Sequence, residues 1–415
     1  MTAQPSQQPA EQLDSRYSWI RLALSLAIAT VGNVGMWSVV VVMPAVQAEF
    51  STGRGEASLP YTLTMIGFAL GNLWIGRVVD RRGVSFALSA AALLSGLGYL
   101  AAAASPSILV LALAQFVIGL GTAAFFGPLI ADISLWFRRR RGIAVAIAAS
   151  GNYLAGAIWP VALAGVLAGQ GWRAVYMVLA LLVAGAVLPL AQLLRRRLPE
   201  VSLSATAQAS PFVPRQVPWS PRALMWILAL AGVACCVAMS MPQVHIVALC
   251  VDMGFGPAVG AEMLSLMLMG GVVSRLVSGL IADKLGGVMT LLIGSVLQML
   301  ALVLYLPANG LTSLYVVSLV FGLAQGGIVP AYAIIVREYM PAREAGARVG
   351  FVIMATILGM ALGGWMSGLI YDLTGSYRLA FINGIAWNGL NIAILLLILL
   401  RSRPSLPPAT GNAPA

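Results

Sequence analysis

The sequence predicts an all-α membrane protein with twelve transmembrane helices in two pseudo-symmetric six-helix halves. Of its 415 residues, 60% are hydrophobic and only 9% are charged, whereas a soluble domain usually carries about 25% charged residues. This composition also excludes disorder, which requires low hydrophobicity and high charge. The apolar residues fall into twelve long runs, and a helix needs roughly 20 of them to cross a bilayer. A short motif occurs at matching places in the two halves.

Each apolar run is interpreted as a helix, because only helices and closed barrels satisfy the backbone in lipid. The runs also lack the period-2 alternation of barrel strands. The predicted spans of the first half are 19–44, 58–78, 84–104, 107–135, 142–168 and 173–194. Those of the second half are 222–249, 257–281, 287–306, 311–336, 345–371 and 378–400. The predicted organisation is a tail (1–18), a first half (19–194), a central loop (195–221), a second half (222–400) and a tail (401–415).

The placement of cationic residues predicts the orientation. With both termini in the cytoplasm, 20 of the 24 Lys and Arg residues lie on the cytoplasmic side, and Arg54, Arg173 and Arg378 lie outside. The remaining cation, Arg275, falls inside a span. Such a bias is typical of cytoplasmic loops, so we expect a multi-pass protein of the plasma membrane, of the bacterial inner-membrane type. The first 18 residues are polar and the next run is long, which does not fit a signal peptide.

Composition also limits the chemistry. The single histidine, His245, and the cysteines Cys235, Cys236 and Cys250 do not form a metal-ligand pattern, so neither a metal nor another cofactor is expected. The net charge of +11 is explained by the loops, and nucleic acid is not an expected partner. The longest stretch between spans has 27 residues and no catalytic motif occurs. A membrane enzyme or a receptor is therefore disfavoured.

The repeated motif follows spans two and eight. Residues 76–83 read GRVVDRRG and residues 279–286 read GLIADKLG, with an offset of 203, and Gly171 corresponds to Gly375 with an offset of 204. Duplicated six-helix halves are typical of secondary transporters. The shared pattern, Gly-x-x-x-Asp-[Arg/Lys]-x-Gly, resembles that of the major facilitator superfamily.

The second half resembles one family within that superfamily, the monocarboxylate transporters and their oxalate–formate antiporter relatives. The resemblance rests on residues 270–279, GGVVSRLVSG, and residues 363–377, GGWMSGLIYDLTGSY. It implies transport of small organic anions.

The functional prediction depends on Arg275. It lies in span eight, eight residues before Asp283, so a rise of about 1.5 Å per residue places it about 12 Å inside the membrane. A guanidinium at that depth is costly, but it binds carboxylates in a bidentate geometry. We interpret Arg275 as the clamp for a substrate carboxylate, and the resembled family binds its anion at this position. A structural ion pair and an orientation toward the cytoplasmic interface are the alternatives. The residue 203 positions earlier, called its repeat mate below, is Asn72. The repeat therefore does not require a charge at this position.

Five further residues are candidates for the substrate site. His245 lies near the outer half of span seven, after Pro242, and titrates near neutral pH. It is expected either to couple a proton and contact substrate, or to be a neutral helix histidine. The others are two mid-membrane amides, which contact either substrate or a neighbouring helix, and two aromatic residues that align with pocket-lining positions of the resembled family, with helix packing as the alternative: Asn33, Asn152, Phe126 and Tyr332.

Charged residues near the cytoplasmic ends have two predicted roles. Asp132 lies one turn inside the Arg138–Arg141 run, where it is either part of a salt bridge or a second proton-coupling candidate. In the resembled superfamily, charge pairs in the loops after spans two and eight close the cytoplasmic side. This resemblance implies a cytoplasmic gate formed by Asp80, Arg81, Asp283 and Lys284.

Departures from the family refine the prediction. Thr356 lies in the stretch of span eleven where oxalate-type antiporters carry a second cation, which favours one carboxylate over two. Gly271 lies where animal monocarboxylate carriers have an aspartate, and span one has no lysine. A proton would therefore travel on His245 or on the substrate itself.

The sequence thus predicts a secondary active transporter of small monocarboxylates such as lactate or pyruvate, working by proton symport and alternating access. Organic-anion exchange is one alternative. The other is export of amphipathic compounds, which the methionines Met263, Met267 and Met269 of span eight would suit. The partners expected are the anion, a proton and the lipid bilayer, and the oligomeric state stays open.

Overall fold

The computed structural model describes residues 13–196, 215–340 and 342–404. These residues form twelve membrane-length helices, so the predicted all-α class is confirmed. The helices of the first half are α1 (Arg16–Phe50), α2 (Arg54–Arg82), α3 (Val84–Ala103), α4 (Ile108–Trp136), α5 (141–170) and α6 (172–193). Those of the second half are α7 (Pro221–Asp252), α8 (Pro257–Leu285), α9 (Gly287–Tyr305), α10 (Leu311–Tyr339), α11 (Ala342–Thr374) and α12 (Tyr377–Arg401).

Helices α5 and α6 follow each other without a loop. Together they span Arg141–Leu193, which is 53 residues and about 80 Å of helix, far more than the roughly 30 Å of a hydrocarbon core. Gly171 interrupts the run with φ 80° and ψ 176°. This left-handed backbone is accessible to glycine at no steric cost, so two spans can be joined at one residue.

Several helices are broken within the membrane. Helix α1 is interrupted at Asn33, α4 contains a 3₁₀ turn at Ala123–Phe125, and α10 is interrupted after Gln325. Helix α6 contains a π-helical turn at Val183–Val187. Such irregular backbone is tolerated at membrane depth where protein surrounds it, which directs attention to these breaks as possible functional positions.

The duplication predicted from the sequence is visible in the backbone. Gly83 and Gly286, which precede α3 and α9, have φ 86° and 81°. Gly171 and Gly375, which precede α6 and α12, have φ 80° and 66°. The same left-handed turn therefore connects equivalent helices in the two halves.

The face that holds the first and last described residues is called the inner face below, and the opposite face the outer face. The halves meet mainly where α1 packs on α7, α2 on α11, and α5 on α8. Many leucines on the outside of the bundle are exposed, for example Leu97, Leu181 and Leu400, as expected of side chains that face lipid.

At the inner face, two short strands, β1 (Arg215–Gln216) and β2 (Arg403–Pro404), pair antiparallel.

Candidate functional site

Arg275 lies inside the protein, at the contact between the two halves. It is 7% exposed, and its Nε donates to the carbonyl of Gly326 in α10 at 3.2 Å. Its Nη1 donates to the carbonyl of Ala149 in α5, which belongs to the first half. The guanidinium carbon lies 4.2 Å from the centre of the Tyr153 ring, also in α5. The side chain therefore faces protein rather than lipid.

The charge of Arg275 is not balanced by an acid in the described part of the chain. Its hydrogen-bond acceptors are two neutral backbone carbonyls, and the ion pairs found involve other arginines. Buried charges are normally paired, because burial away from water is expensive. A buried guanidinium without a carboxylate partner therefore offers donors to which a carboxylate ligand can bind.

The break in α10 provides backbone groups that position Arg275. Gly326 donates its N–H to the hydroxyl of Ser274 at 3.1 Å and accepts from Arg275 through its carbonyl. A Cβ on Gly326 would lie 2.2 Å from the carbonyl oxygen of Gly271. Glycine at this break thus lets α8 and α10 approach closely enough to bind the arginine through backbone groups.

The repeat mate of Arg275 occupies the equivalent place in the first half. Asn72 of α2 donates to the carbonyl of Phe68 at 2.7 Å. Its Oδ1 is 3.3 Å from where a Cβ on Gly127 would lie, just after the break in α4. Both mates therefore lie beside a helix break, and the second half alone has a charge there.

His245 belongs to a second polar group, at the outer ends of the helices. It is fully buried, with Nε2 2.8 Å from the carbonyl of Gly364 and Nδ1 3.0 Å from the Tyr377 hydroxyl. Because a carbonyl can only accept, Nε2 carries the proton, and Nδ1 of the neutral ring accepts from the hydroxyl. The Tyr377 oxygen accepts in turn from Arg54 Nη1 at 3.2 Å. His245 is thereby connected to the outer contact between the halves.

That outer contact is an ion-pair cluster. Arg54 of α2 donates through Nη2 to Asp252 of α7 at 2.5 Å. The carboxylate of Asp372 in α11 accepts from the backbone N–H groups of Arg54 and Gly55 at 2.7 and 2.8 Å. Both acids belong to the second half and hold the same turn of the first, so this cluster closes the outer face.

The predicted gate residues at the inner face are apart. Asp80, Arg81, Asp283 and Lys284 are all exposed, and no hydrogen bond or ion pair joins them to another described residue. The described polar contacts between the halves therefore lie at the outer face and at Arg275, and not at these four residues. Asp80 contributes to a cleft of about 600 Å³ at the inner ends of the first half, separate from Arg275.

Three predicted site residues lie at helix contacts within the first half. Asn33 donates from Nδ2 to the carbonyls of Ala29 and Phe125, at 2.8 and 3.0 Å. The Asn152 Oδ1 accepts from the Trp37 indole at 3.2 Å. Phe126, at the α4 break, has its ring 6.3 Å from that of Phe68. These residues shape the breaks in α1 and α4, and their contact with substrate stays a prediction.

The two remaining candidates are bonded within one half. The Tyr332 hydroxyl donates to Asn391 of α12 at 3.0 Å. Asp132 forms a bidentate pair with Arg21 of α1, with distances of 2.7 and 2.8 Å. The partner of Asp132 is thus Arg21, and a proton-coupling role for Asp132 stays a prediction.

Sequence reasoning missed the residues that surround Arg275. Its acceptors are backbone carbonyls of Ala149 and Gly326, and residue type carries no signal for a backbone acceptor. Tyr153 was detectable as an aromatic residue in span five, yet its position over the guanidinium depends on helix packing. Arg54 was noted only as one of three outer cations. Nothing in the sequence predicted that Arg54 bonds to residues of the other half.

Taken together, the helices and their arrangement define a polytopic helical membrane protein built from two six-helix halves. The sequence profile of the Major Facilitator Superfamily matches residues 26–317 and again 251–414. The chain belongs to the Major Facilitator Superfamily.

Related sequences and structures agree with that assignment. Monocarboxylate transporter 11 of Mus musculus is 26% identical over 400 residues, covering 90% of this chain and 86% of the mouse protein. MFS-type transporter 1 of Ophiocordyceps sp. is 24% identical over 371 residues, covering 87% and 79%. A bacterial homolog of the human lysosomal transporter Spinster, inward-facing and occupied, superposes with a TM-score of 0.73 at 15% identity, covering 93% and 97%. The first two relatives are mammalian and fungal, so they do not support a bacterial inner membrane.

Proposed function

We propose that this transporter carries small organic anions, most favourably monocarboxylates of the size of lactate or pyruvate. The observation that carries the proposal is Arg275, a buried guanidinium at the contact between the halves with no carboxylate partner among the described residues. The similarity to monocarboxylate transporters 11 and 13 of mammals supports the same substrate class.

Substrate binding at Arg275 would change the contact between the halves. A carboxylate carries a full negative charge and can accept from two guanidinium N–H groups at once, so it competes well against the neutral carbonyls of Gly326 and Ala149. Since Ala149 belongs to the first half, an arriving carboxylate releases one bond between the halves and replaces it with a bond to substrate. This exchange links occupancy to rocking of the halves in alternating access.

Proton symport through His245 is the coupling mechanism that we propose. Its ring nitrogens are both hydrogen-bonded, and Nδ1 is the nitrogen that gains a proton when the ring becomes charged. A proton there places a second positive charge beside Arg54, because the Tyr377 oxygen contacts both groups. One proton carried with one monoanion makes the cargo neutral, so no net charge crosses the membrane. In this proposal the inner face is cytoplasmic and the protein lies in the plasma membrane.

A second candidate function is export of amphipathic organic compounds. Eight methionines are buried in the core that connects the halves: Met36, Met43, Met65, Met239, Met241, Met263, Met267 and Met340. Methionine adapts to irregular apolar ligands, which favours this candidate. The buried cation at Arg275 favours the anion instead.

The test uses purified protein in proteoliposomes. Uptake of radiolabelled lactate, pyruvate, oxalate and an amphipathic cation is measured with and without an inward proton gradient. The proposal expects saturable monocarboxylate uptake that the gradient stimulates, and loss of most of that uptake in Arg275→Lys, which keeps the charge but loses the planar fork. Transport of the cation alone would favour export of amphipathic compounds.

A further inference from the structure

We propose that Arg54 is a second carboxylate-binding residue, at the outer mouth of the transport path, and that Asp252 occupies it as an internal competitor while the outer face is closed. The inference rests on the proposed function, because it takes the substrate to be a carboxylate. It assigns the place where an external acid first binds.

Arg54 is buried, and neighbouring side chains hold its guanidinium in place, as is usual for a ligand-binding residue. It is 6% exposed, although it lies in the first turn of α2. Its Nη1 donates to the Tyr377 hydroxyl at 3.2 Å, and its guanidinium carbon is 5.0 Å from the centre of the Tyr371 ring. These contacts fix the plane of the guanidinium, so its remaining donors point in defined directions.

The ion pair with Asp252 leaves part of Arg54 unused. Asp252 binds through one contact, from Arg54 Nη2 to Oδ1 at 2.5 Å. The Nε of Arg54 is buried and has no hydrogen-bond acceptor among the described residues. A carboxylate that binds this edge of the guanidinium bidentately accepts from both Nε and Nη2. Of these two donors, Nε is free in the described part of the chain and only Nη2 is used by Asp252.

Another ion pair in the same molecule shows the complete geometry. Arg21 binds Asp132 through both Nε and Nη2, at 2.7 and 2.8 Å. Arg21 and Asp132 belong to the same half, whereas Arg54 and Asp252 belong to opposite halves. Arg54 therefore holds Asp252 with fewer bonds than an arginine can make with a carboxylate, and a free acid can form the full set.

Opening of the outer face must separate Arg54 from both acids of the second half. Asp252 leaves the guanidinium, and Asp372 leaves the N–H groups of Arg54 and Gly55. The first half then presents a positive charge at the outer mouth. An external carboxylate that takes Nε and Nη2 replaces the lost partner, so arrival of substrate favours the open state and prevents reclosure.

A repeat-related ion pair provides the control. Glu49 lies 203 residues before Asp252 and binds Arg173 at 2.5 Å. Both of these residues belong to the first half and both are more than one third exposed. Changes at this pair alter the same charges at the same face without touching the contact between the halves.

The experiment measures initial uptake of radiolabelled lactate into right-side-out membrane vesicles as a function of external lactate. The proposal expects Arg54→Gln and Arg54→Lys to raise KM by about tenfold, a loss typical of one charge-assisted bidentate contact. It expects Asp252→Asn to lower KM by about threefold, because a neutral amide competes poorly. Arg173→Gln and Glu49→Gln should leave KM within about twofold of the wild type.

The gain expected for Asp252→Asn keeps the test decisive if an arginine variant fails to fold. A KM for Arg54→Gln and Arg54→Lys equal to that of the wild type overturns the inference. So does a rise of KM in Asp252→Asn, since that outcome assigns the pair to closure alone. If Arg275→Ala abolishes uptake while Arg54 variants keep the wild-type KM, this inference fails and the proposed function stands. If the wild type takes up no monocarboxylate, both fail.

Discussion

The two halves share one architecture but differ in the chemistry of equivalent positions. The left-handed glycines that connect the helices are present in both halves, whereas two buried ionisable residues of the second half, Arg275 and His245, have no ionisable counterpart in the first. With the repeat offset of 203, Arg275 corresponds to Asn72 and His245 to Val42, while Asp252 and its counterpart Glu49 are both acidic.

This difference teaches which features belong to the fold and which belong to the site. A position that is glycine in both copies serves chain geometry, such as Gly83 and Gly286. A position that is charged in one copy and neutral in the other is free of that constraint. For a transporter that rocks one half against the other, such an asymmetry places the buried charge of the proposed central site, Arg275, on one half and the contacts that shape the helices on both.

The largest expected effect separates Arg275 from its repeat mate. Arg275→Ala removes the buried cation, and monocarboxylate uptake should fall by about 100-fold, which is the loss expected of a charged contact of about 3 kcal/mol. Asn72→Ala, at the matching place beside the α4 break, should keep uptake within about twofold. The measurement is initial uptake in proteoliposomes at matched protein content. Normal uptake by Arg275→Ala would reject the clamp.

A smaller effect is expected at the helix break that seats Arg275. In Gly326→Ala the new Cβ would lie 2.2 Å from the carbonyl oxygen of Gly271, so α8 and α10 must separate. Uptake should fall by about tenfold, as for an overpacked core position. The first half already has Ala123 at the equivalent position, and Ala123→Gly is the matched control. Uptake by Gly326→Ala with unchanged KM and rate would show that the close approach is not needed.

His245 should affect the response to pH more than the rate at one pH. His245→Gln keeps a side-chain donor but cannot be protonated near neutrality, so stimulation of lactate uptake by an inward proton gradient should be lost. Initial uptake is followed across external pH 5.5 to 8, with and without the inward proton gradient. The repeat mate variant Val42→Ala should keep the gradient response. If His245→Gln also keeps it in full, histidine is excluded as the proton site.

The smallest effect is expected at Tyr332. Tyr332→Phe loses the hydrogen bond to Asn391, which is worth about 1 kcal/mol of stability, and thermal unfolding in detergent measures the change. The repeat mate is Leu129, so the fold does not require a hydroxyl there. An unchanged KM for lactate is expected. A KM raised severalfold would instead place the hydroxyl on the substrate, as the resemblance to the monocarboxylate family implies.

The sequence predicted the fold well because lipid leaves few choices to the backbone. Runs of apolar residues and a repeated motif were enough to place twelve helices, although α5 and α6 join at Gly171 without a loop. The position of Arg275 inside the bundle was also predictable, since a cation in a span must face protein.

The surroundings of the site were less predictable. Arg275 donates to the backbone carbonyls of Gly326, at a helix break, and Ala149, within α5. Because every residue has a carbonyl, the residue type does not reveal which of them will accept. The break itself follows from Gly326, whose role depends on how closely α8 packs. His245 was chosen as a candidate because it is the only histidine of the sequence. Its connection to Arg54 through Tyr377 joins three helices that lie far apart in sequence. Such contacts require the packed structure.

The small ribbon at the inner face has a consequence for how the polypeptide can be divided. Strand β1 precedes α7 and strand β2 follows α12, and the two strands pair with each other. The beginning and the end of the second six-helix half are therefore hydrogen-bonded to each other. A chain severed between residues 197 and 214 would therefore leave a C-terminal fragment whose two ends are already fastened together. Co-production of the two fragments is a direct route to labelling each unit separately.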